Sequence, residues 1–314
     1  MSHTKQYDIL TFGDMCVDLI VTGDDVVPQF GQFEKLVGNY ELEMGGSCLI
    51  FACQAAKLGL RVGIIGRVGA DEFGRLVVRR LVESGVDVQH VIVDPALKTG
   101  LGIALCQGND RAILTYPGSL KAVFPDQIED DLLRSACHLH HGSFFLQTNL
   151  RPAIPGIFAR ARFFGLSTSL DTNWDPAEKW NGTLRQILLL TDVFLPNEQE
   201  ARLISRTSNV DESIRFFQEM GVAITAVKQG KEGALVVSKG KRYTCILPAT
   251  TGGDSIGAGD SFDAGFLAGW LRGLPLDQCL RIACHCGKEV AAQTGGIRSQ
   301  PNWETVIQLA EIRV

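Results

Sequence analysis

No run of lysine and arginine in these 314 residues forms a basic patch, and the formal net charge is −5. Nucleic acid and anionic membrane are therefore excluded as main partners. No apolar segment approaches the ~18 residues of a membrane span. The opening MSHTKQYDILTFG lacks the basic flank and apolar run of a secretory signal, so a soluble, cytoplasmic protein is expected. Nine cysteines (16, 48, 53, 106, 137, 245, 279, 284 and 286) follow no framework spacing and read as reduced thiols packed like small hydrophobes. CHC at 284–286 and HLHH at 138–141 lack a second ligand pair at zinc spacing. The two commonest nucleotide motifs are missing as well. Each Gly-Lys pair, at 230, 240 and 287, is followed by Glu or Arg, so there is no G-x-x-x-x-G-K-[ST] loop. No G-x-G-x-x-G occurs either, and GIIGRVGADEFG at 63–74 has the wrong glycine spacing, which leaves a dehydrogenase unsupported.

What is present is ordinary core material, 45 % hydrophobic residues, arranged as strands and helices in turn. Strand patterns fall at 7–12, 61–66, 88–93, 101–106, 112–116, 137–141, 165–170, 192–195, 223–228 and 234–238. Helix patterns fall at 50–58, 73–84, 126–134, 151–162, 197–205, 210–220, 261–271 and 277–293. This alternation predicts an α/β three-layer sandwich around a mainly parallel central sheet. Two stretches break it. Residues from about 16 to 44 are extended, and about 97 to 118 read as two strands around GNDR. Together they predict a small β-sheet subdomain built from two insertions within a single domain spanning 1–314.

Chemistry concentrates in TTGGDSIGAGDSFDAGFLAGW, residues 250–270. Glycines here precede a helix whose Phe262, Phe266 and Trp270 recur every four residues. Backbone N–H groups at a helix start lack intrahelical partners and carry partial positive charge, and glycine lets an anion approach them. That suits phosphate, or charge developing on a transferring phosphoryl group. Acids at 254 and 260 make sense beside phosphate if one deprotonates an alcohol and the other helps hold a cation. A bare helix cap is the bland alternative for the same residues. MGGSCLIFACQAAKLG at 44–59 repeats the glycine-then-helix pattern, and GDMCVDL at 13–19 puts Asp14 and Asp18 just after the first strand. Ligands of open α/β sheets collect at such strand ends, so both acids are candidate hydroxyl acceptors.

Taken in order, these motifs resemble those of the ribokinase-like carbohydrate kinases, the phosphofructokinase-B family, over nearly the whole chain. DSIGAGDSF at 254–262 is close to the family's D-T-x-G-A-G-D-x-F, and 45–74 looks like its N-terminal signature. NEQE at 197–200, VKQGKEG at 227–233 and AAQTGGIRSQP at 291–301 match later landmarks. The resemblance implies that Asp260 is the base taking a proton from a substrate hydroxyl as it attacks the γ-phosphorus of ATP. It makes Gly257, Ala258 and Gly259 the anion hole, and the helix dipole is expected to keep Asp260 ionised at neutral pH. Asn197 and Glu200 would organise Mg²⁺ through water. Lys228, Gln229, Gly230 and Gly233 would line the ATP site, and Asp254, Ile256 and Ser299 would hold a monovalent cation such as K⁺. Asp18, Gly45 and Gly46 match the sugar-binding positions, with the β-rich subdomain as a lid. A homodimer is implied because lids of several relatives clasp each other.

Departures from the family pattern bear on the acceptor. Cys16 and Ile50 stand where ribokinase-like sugar sites carry asparagine, and Asp175 of DTNWDP stands where an arginine would meet a sugar-acid carboxylate. These changes point to a neutral sugar or polyol with an apolar edge near Ile50 and Phe51. The alternatives are a nucleoside kinase of the same fold and a non-catalytic sugar- or nucleotide-sensing homologue.

Overall fold

A computed structural model describes residues 5–108, 110–180, 182–248, 256–293 and 295–313. Along the chain the strands are β1 (Tyr7–Phe12), β2 (Cys16–Thr22), β3 (Asn39–Gly45), β4 (Val62–Gly69), β5 (Val91–Asp94), β6 (Gly100–Gln107) and β7 (Asp110–Tyr116). They continue as β8 (Ala136–His141), β9 (Ser167–Leu170), β10 (Val193–Phe194), β11 (Ile224–Lys228), β12 (Ala234–Ser238) and β13 (Lys241–Cys245). The helices are α1 (Ser47–Lys57), α2 (Glu72–Glu83), α3 (Asp130–Arg134), α4 (Ile154–Phe163) and α5 (Leu184–Leu188). The remainder are α6 (Glu198–Ser205), α7 (Val210–Glu219), α8 (Ala258–Leu271), α9 (Leu276–Ala291) and α10 (Trp303–Leu309).

Nine strands form one sheet in the order β13-β12-β11-β10-β9-β8-β1-β4-β5, parallel except for the β11-β12-β13 edge. Successive side chains of a strand point to opposite faces, and here both faces are covered. Ile9, Val193, Ala226 and Val236 enter one core with α1, α8 and α9. Their neighbours Leu10, Phe194, Val227 and Leu235 enter a second core with α4, α6 and α7. That double burial is what a helix-flanked parallel sheet requires, and the expected three-layer α/β arrangement is present.

A second sheet of four strands runs β3-β2-β6-β7. It is assembled from two separated segments, with β2 and β6 parallel and the other pairs antiparallel. β2 leaves β1 after only three residues, so this sheet starts at the carboxyl end of the large one. Three elements had no clear pattern in the sequence. β13 reads KRYTC, a polar edge strand, while α5 and α10 have only five and seven residues. α8 begins three residues before its apolar pattern, at Ala258. Asp260 therefore lies in the first helical turn instead of capping it.

Candidate active site

Two helix N-termini converge beside the carboxyl ends of β1, β8 and β9. At α8 the chain enters through Gly257 with φ +73°. A Cβ there would sit 2.9 Å from Ile50 Cγ2 and 3.0 Å from the Gly296 carbonyl oxygen, so the position needs glycine. The N–H groups of Ala258, Gly259 and Asp260 then lead the helix without intrahelical acceptors. Asp260 Oδ1 accepts a short hydrogen bond from Ser47 Oγ at the start of α1. Burial pushes the Asp260 carboxyl up to about 7. Asp171 and Asp14 push the same way, while Ser47 and Lys228 pull against it. The expectation that the helix dipole keeps this acid fully ionised is therefore corrected. Desolvation is the largest cause of the rise, which brings the group near its midpoint at neutral pH.

At α1, Gly46 caps the helix with φ +98°, and Asp14 lies across the opening N–H groups. Asp14 Oδ2 accepts from Ser47 N at 3.0 Å and Ser143 Oγ at 2.8 Å, and Oδ1 from Cys48 N at 3.3 Å. Asn173 Nδ2 donates in turn to Ser143 Oγ at 3.0 Å. Ser143 and Asn173 both hold left-handed backbone, φ +56° and +53°, a strain that surrounding structure must sustain. Asp14 is thus occupied in capping α1, and the reading of it as a hydroxyl acceptor is withdrawn. Asp18 lies differently. On β2 its carboxylate rests over Gly45 of β3 and Gly102 of β6, and a Cβ at either glycine would overlap it.

Behind Asp260 sits one half-buried lysine among acids. Lys228 Nζ is 2.8 Å from Asp171 Oδ2 and 3.1 Å from Asp263 Oδ1. Burial alone would lower the lysine, but Asp171, Asp263 and Glu200 overcome it and hold it raised. Against the pull of burial, Lys228 holds Asp171 low, while burial and Asp171 drive Asp263 well above the carboxylate range. Lys228 thus bridges the two carboxyl groups. Asn197 and Glu200 make a reciprocal cap of α6: Asn197 Oδ1 accepts from Glu200 N, and Glu200 Oε2 from Asn197 N. Glu200 is buried, and desolvation with the Asp171 charge raises it to about 7.

A pocket of about 340 Å³ opens on the outer side of Gly259, between β11 and α9. Lys228, Gly230 and Gly233 line it together with Ala258 and Gly259. Gly233 has φ +88°, and a Cβ on it would run into the Cys245 carbonyl. Gln229 turns away, donating its amide to Glu198 at 3.0 Å. Lining residues not assigned from the sequence include Lys231, Lys288, Phe262, Leu247 and Gly287. Gly287 carried a readable signal as a glycine inside a helix. A Cβ there would stand 3.0 Å from the Ala258 carbonyl, closing α9 against the first turn of α8.

With this geometry in place the chain can be set beside known proteins. The profile of the pfkB family carbohydrate kinases matches residues 6–303. The chain belongs to that family. An uncharacterized sugar kinase of Archaeoglobus fulgidus is 33 % identical over 251 residues, covering 78 % of this chain and 98 % of the relative. The 2-dehydro-3-deoxygluconokinase of Thermoproteus tenax is 30 % identical over 282 residues, covering 85 % of each. Among solved structures, Arabidopsis thaliana ribokinase complexed with ribose and ATP superposes with a TM-score of 0.82 at 21 % identity. That match covers 98 % of this chain and 99 % of the ribokinase. The recognised relationship is thus to ribokinase-like sugar kinases, and the large-plus-small sheet arrangement is theirs.

Within this pfkB kinase the departures acquire physical roles. Asp175 is buried and accepts N–H from Ala177, Lys179 and Trp180 at 3.0, 2.9 and 2.8 Å, so it organises its own loop. Ile50 and Phe51 do not form the expected apolar edge of a sugar pocket. Ile50 packs beneath Gly257 and Gly296, and Phe51 stacks on His140 at 3.8 Å between ring centroids. Cys16 is buried against Gly100. His138 bridges Ser167 and Ser169 at 2.7 Å each and His140 meets Ser169 at 2.8 Å, tying β8 to β9 as uncharged rings. Of the proposed monovalent-cation positions, Asp254 lies outside the described residues. The Ile256 carbonyl does approach the Gly296 segment that precedes Ser299.

Proposed function

We propose that this pfkB-family kinase transfers the γ-phosphoryl group of ATP to a hydroxyl of a small neutral sugar or polyol, with Asp260 as general base. The observation that carries the reading is a half-buried carboxylate, held by Ser47, placed beside the free N–H groups of a helix N-terminus. The first can accept a proton, and the second can stabilise the charge of the phosphoryl group in flight. ATP would lie in the pocket bounded by Gly230, Gly233 and Gly259, with Lys231 and Lys288 at its wall adding positive charge toward the phosphates. The acceptor would lie on the other side of Asp260, over Asp18 and the Gly45–Gly46 turn. Asp175 holds a loop where an arginine would bind a carboxylate, which favours an uncharged acceptor.

Behind Asp260, Lys228 binds Asp171 and Asp263 and leaves Glu200, which accepts the Asn197 N–H, as the acid that fits a hydrated divalent cation. Asn197 and Glu200 would hold Mg²⁺ through water, and the bound ion would supply neutralisation of phosphate charge. A double mutant of Vibrio cholerae fructokinase has been solved with fructose, ADP and a potassium ion bound; here Ile256 and Ser299 would serve a monovalent cation near the anion hole. The small sheet would act as a lid that keeps water, a competing acceptor, from the γ-phosphate. Its apolar outer surface supports a homodimer joined lid to lid.

Asp260→Asn is expected to keep the fold and lower kcat by roughly 10²–10⁴. The assay is ADP release with ATP, Mg²⁺ and a panel of ribose, fructose, glucose, ribitol, adenosine and inosine. Near-normal turnover by the variant would remove Asp260 from the mechanism, and faster turnover on the nucleosides would replace the sugar reading by a nucleoside kinase.

A further inference from the structure

Ser47 stands where the two converging helices touch. Its N–H belongs to the α1 cap, donating to Asp14 Oδ2 at 3.0 Å. Its hydroxyl crosses to Asp260 Oδ1 on α8, 213 residues away in sequence. The side chain is enclosed, since the residue is 6 % exposed and a Cβ on Gly142 would come within 2.8 Å of Ser47 Oγ. With solvent excluded, the rotamer that reaches Asp260 is held by packing. The backbone that carries it is held by Asp14, itself fixed by Cys48 N and Ser143 Oγ. A string of hydrogen bonds thus runs from Asn173 through Ser143, Asp14 and Ser47 to Asp260.

We propose that Ser47 is a positioning residue for phosphoryl transfer, pinning one carboxylate oxygen of Asp260 so that the other faces the acceptor hydroxyl. The proposal rests on Asp260 being the base. In the step it serves, the acceptor O–H bond breaks and its proton passes to Asp260 Oδ2. The oxygen keeps the electron pair and bonds the γ-phosphorus, and the bond to the bridging oxygen breaks to release ADP. A donor to the carboxylate also favours its ionised form. The groups facing Asp260 are Asp14 after β1, Asp171 after β9, Lys228 on β11, Glu200 on α6 and Asp263 on its own helix. All but the lysine are acids, so loss of the serine hydroxyl removes one of the few contacts that support negative charge there.

The test compares Ser47→Ala and Ser47→Thr with the unaltered protein from pH 5.5 to 9, at saturating ATP and the fastest acceptor of the panel above. Alanine is expected to move the acid limb of kcat upward by about one pH unit. Turnover then falls about tenfold at pH 6 and largely recovers at pH 9. Threonine keeps the hydroxyl and is expected to keep the original limb. Carbon-13 NMR of labelled aspartates reads the same shift without any acceptor. Ser47→Cys, a weaker donor, should fall between the two and keeps the test available if alanine does not fold. A limb that stays in place in alanine, or a loss uniform across pH, overturns the proposal while leaving the base assignment intact. Undiminished turnover in Asp260→Asn overturns the base assignment itself, and this proposal with it.

Discussion

At the scale of single residues, the site is costly to stability where it is useful to chemistry. Folded Asp260 holds its proton up to about pH 7, whereas an unfolded aspartate releases it near 4. Between those values the folded chain binds more protons than the unfolded one. Stability therefore falls as pH rises through that window, and the full cost stands above pH 7. Asp260→Asn retains an acceptor for Ser47 and removes the buried charge. In the absence of ligands it should raise Tm by several degrees at pH 8, on the order of 1–3 kcal/mol, and by almost nothing near pH 4. Differential scanning calorimetry at the two pH values checks this. An equal change at both would mean that the carboxyl is not desolvated in the folded state. The same variant is expected to be the poorer enzyme, so stability and turnover should move in opposite directions.

Elements decide which residues can meet. Asp18 reaches its position because β3 and β6 each present a glycine beneath it, Gly45 and Gly102. Gly45→Ala should displace the carboxylate, raising KM for the acceptor about tenfold, the equivalent of ~1.4 kcal/mol, and leaving KM for ATP unchanged. A parallel rise in both constants would place Asp18 outside the acceptor site. Much of this layer was legible in the sequence. Long apolar periods located β1, β12, α1 and α8 within a few residues, and the GAGD stretch marked the helix end that faces the chemistry. What stayed hidden depends on contacts between distant segments. Nothing in GGSC tells that Ser47 meets Asp260, and nothing in DTNWDP tells that Asp175 is spent on three N–H groups of its own loop. Asp14 looked like a ligand because strand ends usually face the site, whereas here it caps the next helix. Asp263 sits one turn beyond Asp260 in an otherwise apolar helix, a polar signal that becomes meaningful only once Lys228 and Asp171 are opposite it. β13, α5 and α10 are too short or too polar for periodicity to register.

For the whole molecule, the unresolved balance lies in the small sheet. Its edge strands β3 and β7 have no strand neighbour among the described residues, and open edges invite pairing with another chain. Glu41 and Glu43 on β3 and Arg111 on β7 place charge along these edges, yet large apolar side chains stand exposed beside them. Leu114 and Tyr116, on one face of β7, are 60 % and 50 % exposed, and Tyr40 on β3 is 68 % exposed. The β2–β3 connection adds Phe30 and Leu36, both almost fully exposed. Exposed apolar residues grouped in this way are what the proposed association between copies would need. In the lid-to-lid dimer proposed above, a two-fold pairing would cover it with the same patch of a second copy. Such a dimer would also tie closure over one acceptor site to the partner's lid. Leu114→Glu with Tyr116→Ser should leave the nine-stranded core and its melting transition nearly unchanged. Sedimentation velocity should then show a dimer in the unaltered protein and a monomer in the variant. The monomer should retain ATP binding and lose acceptor affinity severalfold, because its lid no longer has a surface to close against. A unaltered chain that sediments as a monomer at tens of micromolar would refute the pairing. A variant that remains dimeric would move the interface off β7 and require the apolar β2–β3 connection to carry it alone.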